Sequence, residues 1–287
     1  MLLITLLFFL NRAVQLSYNV FDNGDPILAF KRTSINPVII IPGLFGSKTN
    51  WNSLSKTISQ KTGRNVIGID VRNHGESEWN ADFSYAAMHE DLLLLMDQLN
   101  ITKVNLIGHS LGGRVAMNTA LLTPDCVEKL VVVDVSPVRM SPEAANLLYM
   151  IQRMKAFEFP TGVQMSQVRK MADEALKSIA DNPSIRQFLI TNIRQNEDKT
   201  FQWRLNLDAI EKGMANITDH QFPETVFNAP TLFIGGTSSD YLKPDHHDDI
   251  LEFFPKAEFN YIKDAGHWLH AEKPDEFLDI VCPFLKI

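Results

Sequence analysis

The chain has 287 residues, 45% of them hydrophobic, with 27 Lys and Arg against 34 Asp and Glu and a net charge of −7. That length and apolar content suffice for one sizeable core, and the scattered basic residues leave no nucleic-acid footprint. Two cysteines, Cys126 and Cys282, form neither a disulfide framework nor a zinc-ligand spacing, which fits a reducing compartment.

The chain opens on "MLLITLLFFL", ten apolar residues, about half of a ~20-residue membrane span. Arg12 follows this run, and the first acidic residue is Asp22. Residues 1–14 read as a targeting segment of undefined kind, the alternative being a loosely packed end; no stable transmembrane span is expected. Strands near residues 16–21 and 27–30 are expected to form an antiparallel edge hairpin around "DNGDP". The stretches "VIII" (38–41), "NVIGID" (65–70), "VNLIG" (104–108), "LVVVD" (130–134), "TLFIGG" (231–236) and "EFNYI" (258–262) are short and rich in β-branched residues. Near-continuous apolar runs suit strands buried on both faces of a parallel sheet. After Ser84, the apolar residues Tyr85, Met88, Leu92, Leu95, Met96 and Leu99 recur at helical spacing. Strand alternating with helix predicts an α/β fold with a mostly parallel, eight-stranded sheet and helices on both faces.

From 141 to 222 the alternation stops. No strand-like run occurs there, and the segment holds Met150, Met154, Met165, Met171 and Met214 with Phe157, Phe159 and Trp203. It reads as a helical cap inserted into a core of residues 15–140 and 223–287. A cap at the C-terminal edge of such a sheet lies over the ligand crevice. Its flexible apolar side chains suit the lining of an apolar pocket, although most of them are expected only to hold the cap helices together.

"LIGHSLGGRV" places Ser110 in a G-x-S-x-G pattern between the strand "VNLIG" and the helix "LGGRVAMNTALL". A strand–turn–helix context makes this a nucleophile elbow, in which the serine hydroxyl is lifted clear of the sheet and the Leu111 N–H opens a helix N-terminus beside it. A nucleophilic serine needs a base. His267, in "DAGHWLHAEKPDEF", follows the last strand on a loop at the same edge. His270 is expected to pack, His109 to buttress the turn, and His74, in "RNHGES", to shape the mouth. His246 and His247 read as a solvated helix start.

Together, "GHSLGG", "DVRNHGES", "GLFGSKTNW", "WRLNL" and "AGHWLHAEKP" resemble the α/β-hydrolase domain-containing protein 11 family and the small bacterial esterases related to it. The resemblance runs from about Ser17 to the C-terminus. It implies the α/β-hydrolase fold and serine hydrolase chemistry on acyl esters, carboxylesterase or lipase in type, with diacylglycerol lipase activity among the candidate roles. It also implies an apolar acyl-ester or lipid substrate, no metal or organic cofactor, and a mitochondrial address for animal members, against a cytoplasmic or secretory one. The oxyanion donors implied are the backbone N–H groups of Leu44 and Leu111. One position departs: Pro42 stands where similar proteins have a histidine that braces the oxyanion loop.

Three aspartates compete to orient His267. Asp134 ends a strand expected beside the elbow strand and is the first choice. Asp240, in "GGTSSDYLKP", follows the next strand, where many α/β-hydrolases keep their acid, and is the second. Asp208, in the cap sequence "WRLNLDAI", is the third. The mechanism so read passes through an acyl-enzyme on Ser110. Thioesters or other acyl compounds are alternative substrates on the same residues, and a non-catalytic binding protein of the same fold is the alternative outside enzymology.

Overall fold

The computed structural model describes residues 12–22, 35–138 and 145–286. A seven-stranded sheet forms its centre, built from β1 (Tyr18–Phe21), β2 (Val38–Ile41), β3 (Val66–Ile69), β4 (Val104–His109), β5 (Val127–Val133), β8 (Thr231–Gly236) and β9 (Ala257–Ile262) in the order β1-β3-β2-β4-β5-β8-β9. Only the β1–β3 pairing is antiparallel. The strand expected near 27–30 lies outside the described residues, so the expected hairpin contributes one edge strand here, paired with β3.

The alternation of side chains along each strand divides the interior into two cores. Ile39, Ile41, Leu106, Leu130, Val132 and Phe233 face one core. Val38, Ile40, Ile107, Val131, Val133, Leu232 and Ile234 face the other. The first core is closed by α2 (Tyr85–Gln98) and α3 (Leu111–Leu122), through residues such as Met88, Leu92, Val115 and Met117. The second is closed by α1 (Asn52–Thr62) and by α10 (Pro274–Leu285), through Leu54, Ile58, Phe277, Val281 and Leu285.

Between β5 and β8 the chain forms α4 (Ala145–Lys155), α5 (Met165–Leu176), α6 (Pro183–Ile190) and α7 (Leu207–Thr218). It also forms a small antiparallel hairpin, β6 (Ile193–Gln195) with β7 (Phe201–Trp203), which corrects the purely helical expectation for this segment. Strands of three residues are too short to show a period of two, so no pattern announced them. Trp203, Phe157 and Phe159 form one aromatic cluster with centroids 5.0 to 6.1 Å apart, and Trp203 Nε1 donates to the Met154 carbonyl at 2.9 Å. These aromatic residues hold the insertion together.

The chain order reverses at β2, with β3 on one side and β4 on the other. The crevice of an open α/β sheet lies outside the C-terminal ends of its strands at such a switch point. The loops that meet there follow β2, β4, β5, β8 and β9. The last of them leads into α9 (Leu269–Glu272), and α8 (His247–Phe253) precedes β9.

Candidate active site

Ser110 sits between β4 and α3 with φ 53° and ψ −116°, a conformation that side-chain-bearing residues rarely adopt. The turn is tight because α3 starts almost in contact with β2. A Cβ on Gly112 would lie 2.2 Å from the Ile41 carbonyl oxygen, so any side chain at 112 displaces the helix from the sheet. The Ser110 N–H donates to the Val133 carbonyl at 3.0 Å, which ties the elbow to the end of β5.

His267 Nε2 is 3.0 Å from Ser110 Oγ, and its Nδ1 is 2.7 Å from Asp134 Oδ2. Asp134 is fully buried, one residue past β5, with φ 49°. The carboxylate is held from three sides. Gly236 N–H donates to Oδ1 at 3.1 Å, Ser239 Oγ donates to Oδ2 in a very short hydrogen bond, and His267 shares Oδ2. Burial pushes the Asp134 carboxyl above its ordinary range, while the Ser239 and Gly236 hydrogen bonds pull it back. Burial likewise holds His267 below the usual imidazole value, so its resting form is neutral. A neutral imidazole with Nδ1–H on a carboxylate presents the Nε2 lone pair to the serine hydroxyl, the arrangement a general base requires.

Three further rings surround this relay. Tyr241 stacks on His267, with centroids 3.8 Å apart. His109 Nε2 donates to the His267 carbonyl at 2.8 Å, which couples the elbow to the loop that carries the base. His270 is buried and stacks on Trp51 at 4.1 Å.

Asp240 and Asp208 lie elsewhere. Asp240 pairs with Lys243 at 2.5 Å and is half exposed; Asp208 pairs with Lys155 at 2.5 Å on the cap surface. The loop after β8 does reach the relay, through Ser239 and Tyr241 rather than through its aspartate. Sequence reasoning missed both, since a serine beside an aspartate carries no signal of its own.

Two histidine expectations are also corrected. His74 is fully buried and not at the mouth: its Nε2 accepts from the Phe45 N–H at 3.1 Å. His246 is buried, not solvated, and His247 Nε2 meets Tyr261 Oη at 2.8 Å. The mouth is apolar. Leu44, Phe45, Leu147, Met150, Ile185, Phe188, Leu189, Tyr241 and Trp268 line a pocket that ends on Ser110, His109 and His267. Of the five cap methionines, Met150 lines this pocket, whereas Met154 and Met214 are buried within the apolar core and Met171 faces solvent.

The α/β-hydrolase fold family matches residues 36–274. The sn-1-specific diacylglycerol lipase ABHD11 of Mus musculus is 44% identical over 274 residues, covering 96% of this chain and 86% of that protein. The esterase YbfF of Escherichia coli is 32% identical, over 88% of this chain and 93% of its own. Among solved structures, a marine microorganism esterase superposes with a TM-score of 0.85 at 33% identity, covering 95% of this chain and all of that one.

Proposed function

The chain belongs to the ABHD11 family of α/β-hydrolases, and from that membership we propose that it cleaves acyl esters through Ser110, with His267 as base and Asp134 as the acid that orients it. The observation that carries this reading is the unbroken relay from Ser110 Oγ to His267 Nε2 at 3.0 Å and from His267 Nδ1 to Asp134 at 2.7 Å.

In the first half-reaction, Ser110 Oγ attacks the acyl carbonyl carbon and its proton passes to His267 Nε2. Asp134 stabilises the imidazolium and remains a carboxylate. The carbonyl oxygen becomes an oxyanion facing the backbone N–H groups of Leu44 and Leu111, aided by the N-terminus of α3. Collapse expels the alcohol, which takes the proton from His267. Water then attacks the acyl carbon as its proton passes to His267; collapse breaks the bond to Ser110 Oγ, which takes that proton back from His267, and the acid leaves. The apolar lining around Ser110 supports an acyl chain as the group held there.

Diacylglycerol is our proposed natural substrate class, on the strength of the activity named for the mouse relative. A fluorophosphonate probe is expected to label the wild-type chain and to leave Ser110→Ala unlabelled; labelling that survives the substitution overturns the assignment. A panel of p-nitrophenyl esters beside diacylglycerol and acyl-CoA then separates ester, lipid and thioester chemistry. A mitochondrial address is proposed from the family resemblance, which implies one for animal members; the acid-free run that precedes Asp22 is compatible with it. A fluorescent fusion of the full chain that fails to overlap a mitochondrial marker overturns it.

A further inference from the structure

The loop that carries Leu44 leans on the nucleophile: a Cβ on Gly43 would lie 3.2 Å from Ser110 Cβ. Next along this loop, Phe45 has φ 64°, a left-handed conformation that a phenylalanine adopts only when its surroundings impose it. Both polar groups of its backbone are gripped, from opposite sides.

The core supplies the first grip. His74 Nδ1 lies 2.9 Å from the Arg72 carbonyl, and a carbonyl only accepts, so Nδ1 carries the proton. Nε2 therefore presents its lone pair to the Phe45 N–H at 3.1 Å. Burial keeps this histidine neutral, lowering its pKa to about 4. The cap supplies the second grip. Asn192, buried between α6 and β6, donates from Nδ2 to the Phe45 carbonyl at 2.8 Å and to the Leu189 carbonyl at 3.2 Å. The cap also holds the residue before His74: Asn206 N–H donates to the Asn73 carbonyl at 3.0 Å, and Asn206 Nδ2 to Asn73 Oδ1 at 3.1 Å.

The Phe45 N–H and the Leu44 carbonyl share one rigid peptide plane. His74 orients that plane from the core, and Asn192 holds the next plane, through the Phe45 carbonyl, from the cap; together they keep Phe45 in its left-handed conformation and restrict ψ of Leu44 and the direction of its N–H. We propose that His74 and Asn192 are positioning residues that hold the oxyanion loop between core and cap, and that Asn192 makes alignment of the Leu44 donor depend on the cap being seated. The proposal rests on the oxyanion role assigned to Leu44 above. Leu189, the second acceptor of Asn192, lines the acyl pocket itself. An acyl chain packed against α6 thus seats the cap and aligns the hole together. Binding energy from a remote part of the substrate is thereby expressed in kcat.

The test uses the full-length chain with Asn192→Ala, Asn192→Asp, His74→Leu and His74→Gln, each checked by circular dichroism and for fluorophosphonate labelling. Asn192→Ala and Asn192→Asp both remove the donor to Phe45. Each is expected to lower kcat about tenfold with KM changed less than about twofold, since the donor is misaimed and not deleted. Affinity for a trifluoromethyl ketone, whose adduct needs the same hole, falls by the same factor. The rise of kcat from butyrate to octanoate esters flattens. His74→Gln, which keeps an acceptor, retains most of the activity that His74→Leu loses. A folded Asn192→Ala enzyme with wild-type kcat and ketone affinity, or with a loss confined to KM, overturns the proposal. If His74→Leu does not fold, the two Asn192 variants decide alone. A wild-type chain that never labels at Ser110 overturns the hydrolase reading, whereas normal labelling with unchanged kcat in the variants overturns only the clamp.

Discussion

Among the described residues, seven that are not glycine have positive φ, and four of these surround the site: Phe45, Asn73, Ser110 and Asp134. Strain of this kind costs of order 1–3 kcal/mol per residue and persists only where neighbours over-determine it. At Asp134 the over-determination is visible, because its carboxylate accepts from Gly236, Ser239 and His267. The assignment of Asp134 makes a sharp prediction. Asp134→Asn keeps shape, removes charge and favours the wrong imidazole tautomer, so kcat is expected to fall about 10⁴-fold in a folded protein. Asp240→Asn and Asp208→Asn break exposed ion pairs that solvent screens, and both are expected to leave turnover unchanged. A large kcat loss in either of these, with near-normal turnover in Asp134→Asn, assigns the acid elsewhere. Sequence ranked the three aspartates but could not separate them, since chain order and local context are compatible with all of them. The distance from His267 separates them because it depends on the path of the β8 loop.

At the scale of elements, the strands were the most legible. Val38–Ile41 and Val104–His109 are buried along their whole length, and continuous apolar runs announce that burial directly. The cap was less legible. Its helices bury only part of their surface, its hairpin is three residues per strand, and none of its local patterns encodes how it sits on the sheet. The structure brings α4 to the pocket through Leu147 and Met150, and α6 through Ile185, Phe188 and Leu189. With an acyl chain in this pocket, kcat/KM is expected to rise from acetyl to medium-chain esters. The ceiling is about fourfold per methylene, because full burial of one is worth about 0.8 kcal/mol. Phe188→Ala removes part of the wall and should flatten that slope while leaving acetyl ester turnover close to wild type. An unchanged slope in Phe188→Ala, or a flat one in the wild type, shows that the chain binds elsewhere.

The whole molecule holds an unusual number of neutral, buried histidines. Burial lowers His74 and His89 to about 4 and His109 to about 3, and holds His270 well below its ordinary value. Unfolding returns each of them to about 6.5, so below that pH the unfolded chain binds more protons and stability falls as pH falls. The loss extends from about 6.5 down to the folded values. Asp134, raised to about 6, acts in the opposite direction below that pH, as do the raised carboxyls of Asp91 and Glu90. The histidines held neutral by burial, His267 among them, outnumber the raised carboxyls, so the net effect of acidification below about pH 6.5 is a loss of stability. Urea midpoints measured at pH 7, 6 and 5 are expected to fall steadily. A midpoint that holds constant or rises on acidification contradicts the neutral burial of these histidines.

The amino-acid sequence by itself determined the alternation of strand and helix, the strand–turn–helix setting of Ser110, the candidacy of His267 and the break in the alternation between β5 and β8. Each is a local matter: a hydrophobic period, a glycine spacing or a break in a pattern survives in any stretch read alone. Tertiary structure decided which aspartate faces His267, that Ser239 and Gly236 hold it, and that His74 turns inward. It also decided which cap residues reach Ser110. These depend on groups far apart in the chain meeting at the end of one sheet: Ser110 and His267 are 157 positions apart, His267 and Asp134 133, and Asn192 and Phe45 147. A hydrogen bond across such a separation leaves no mark on the residues beside either partner, so only the folded arrangement of strand ends, loops and cap reveals it.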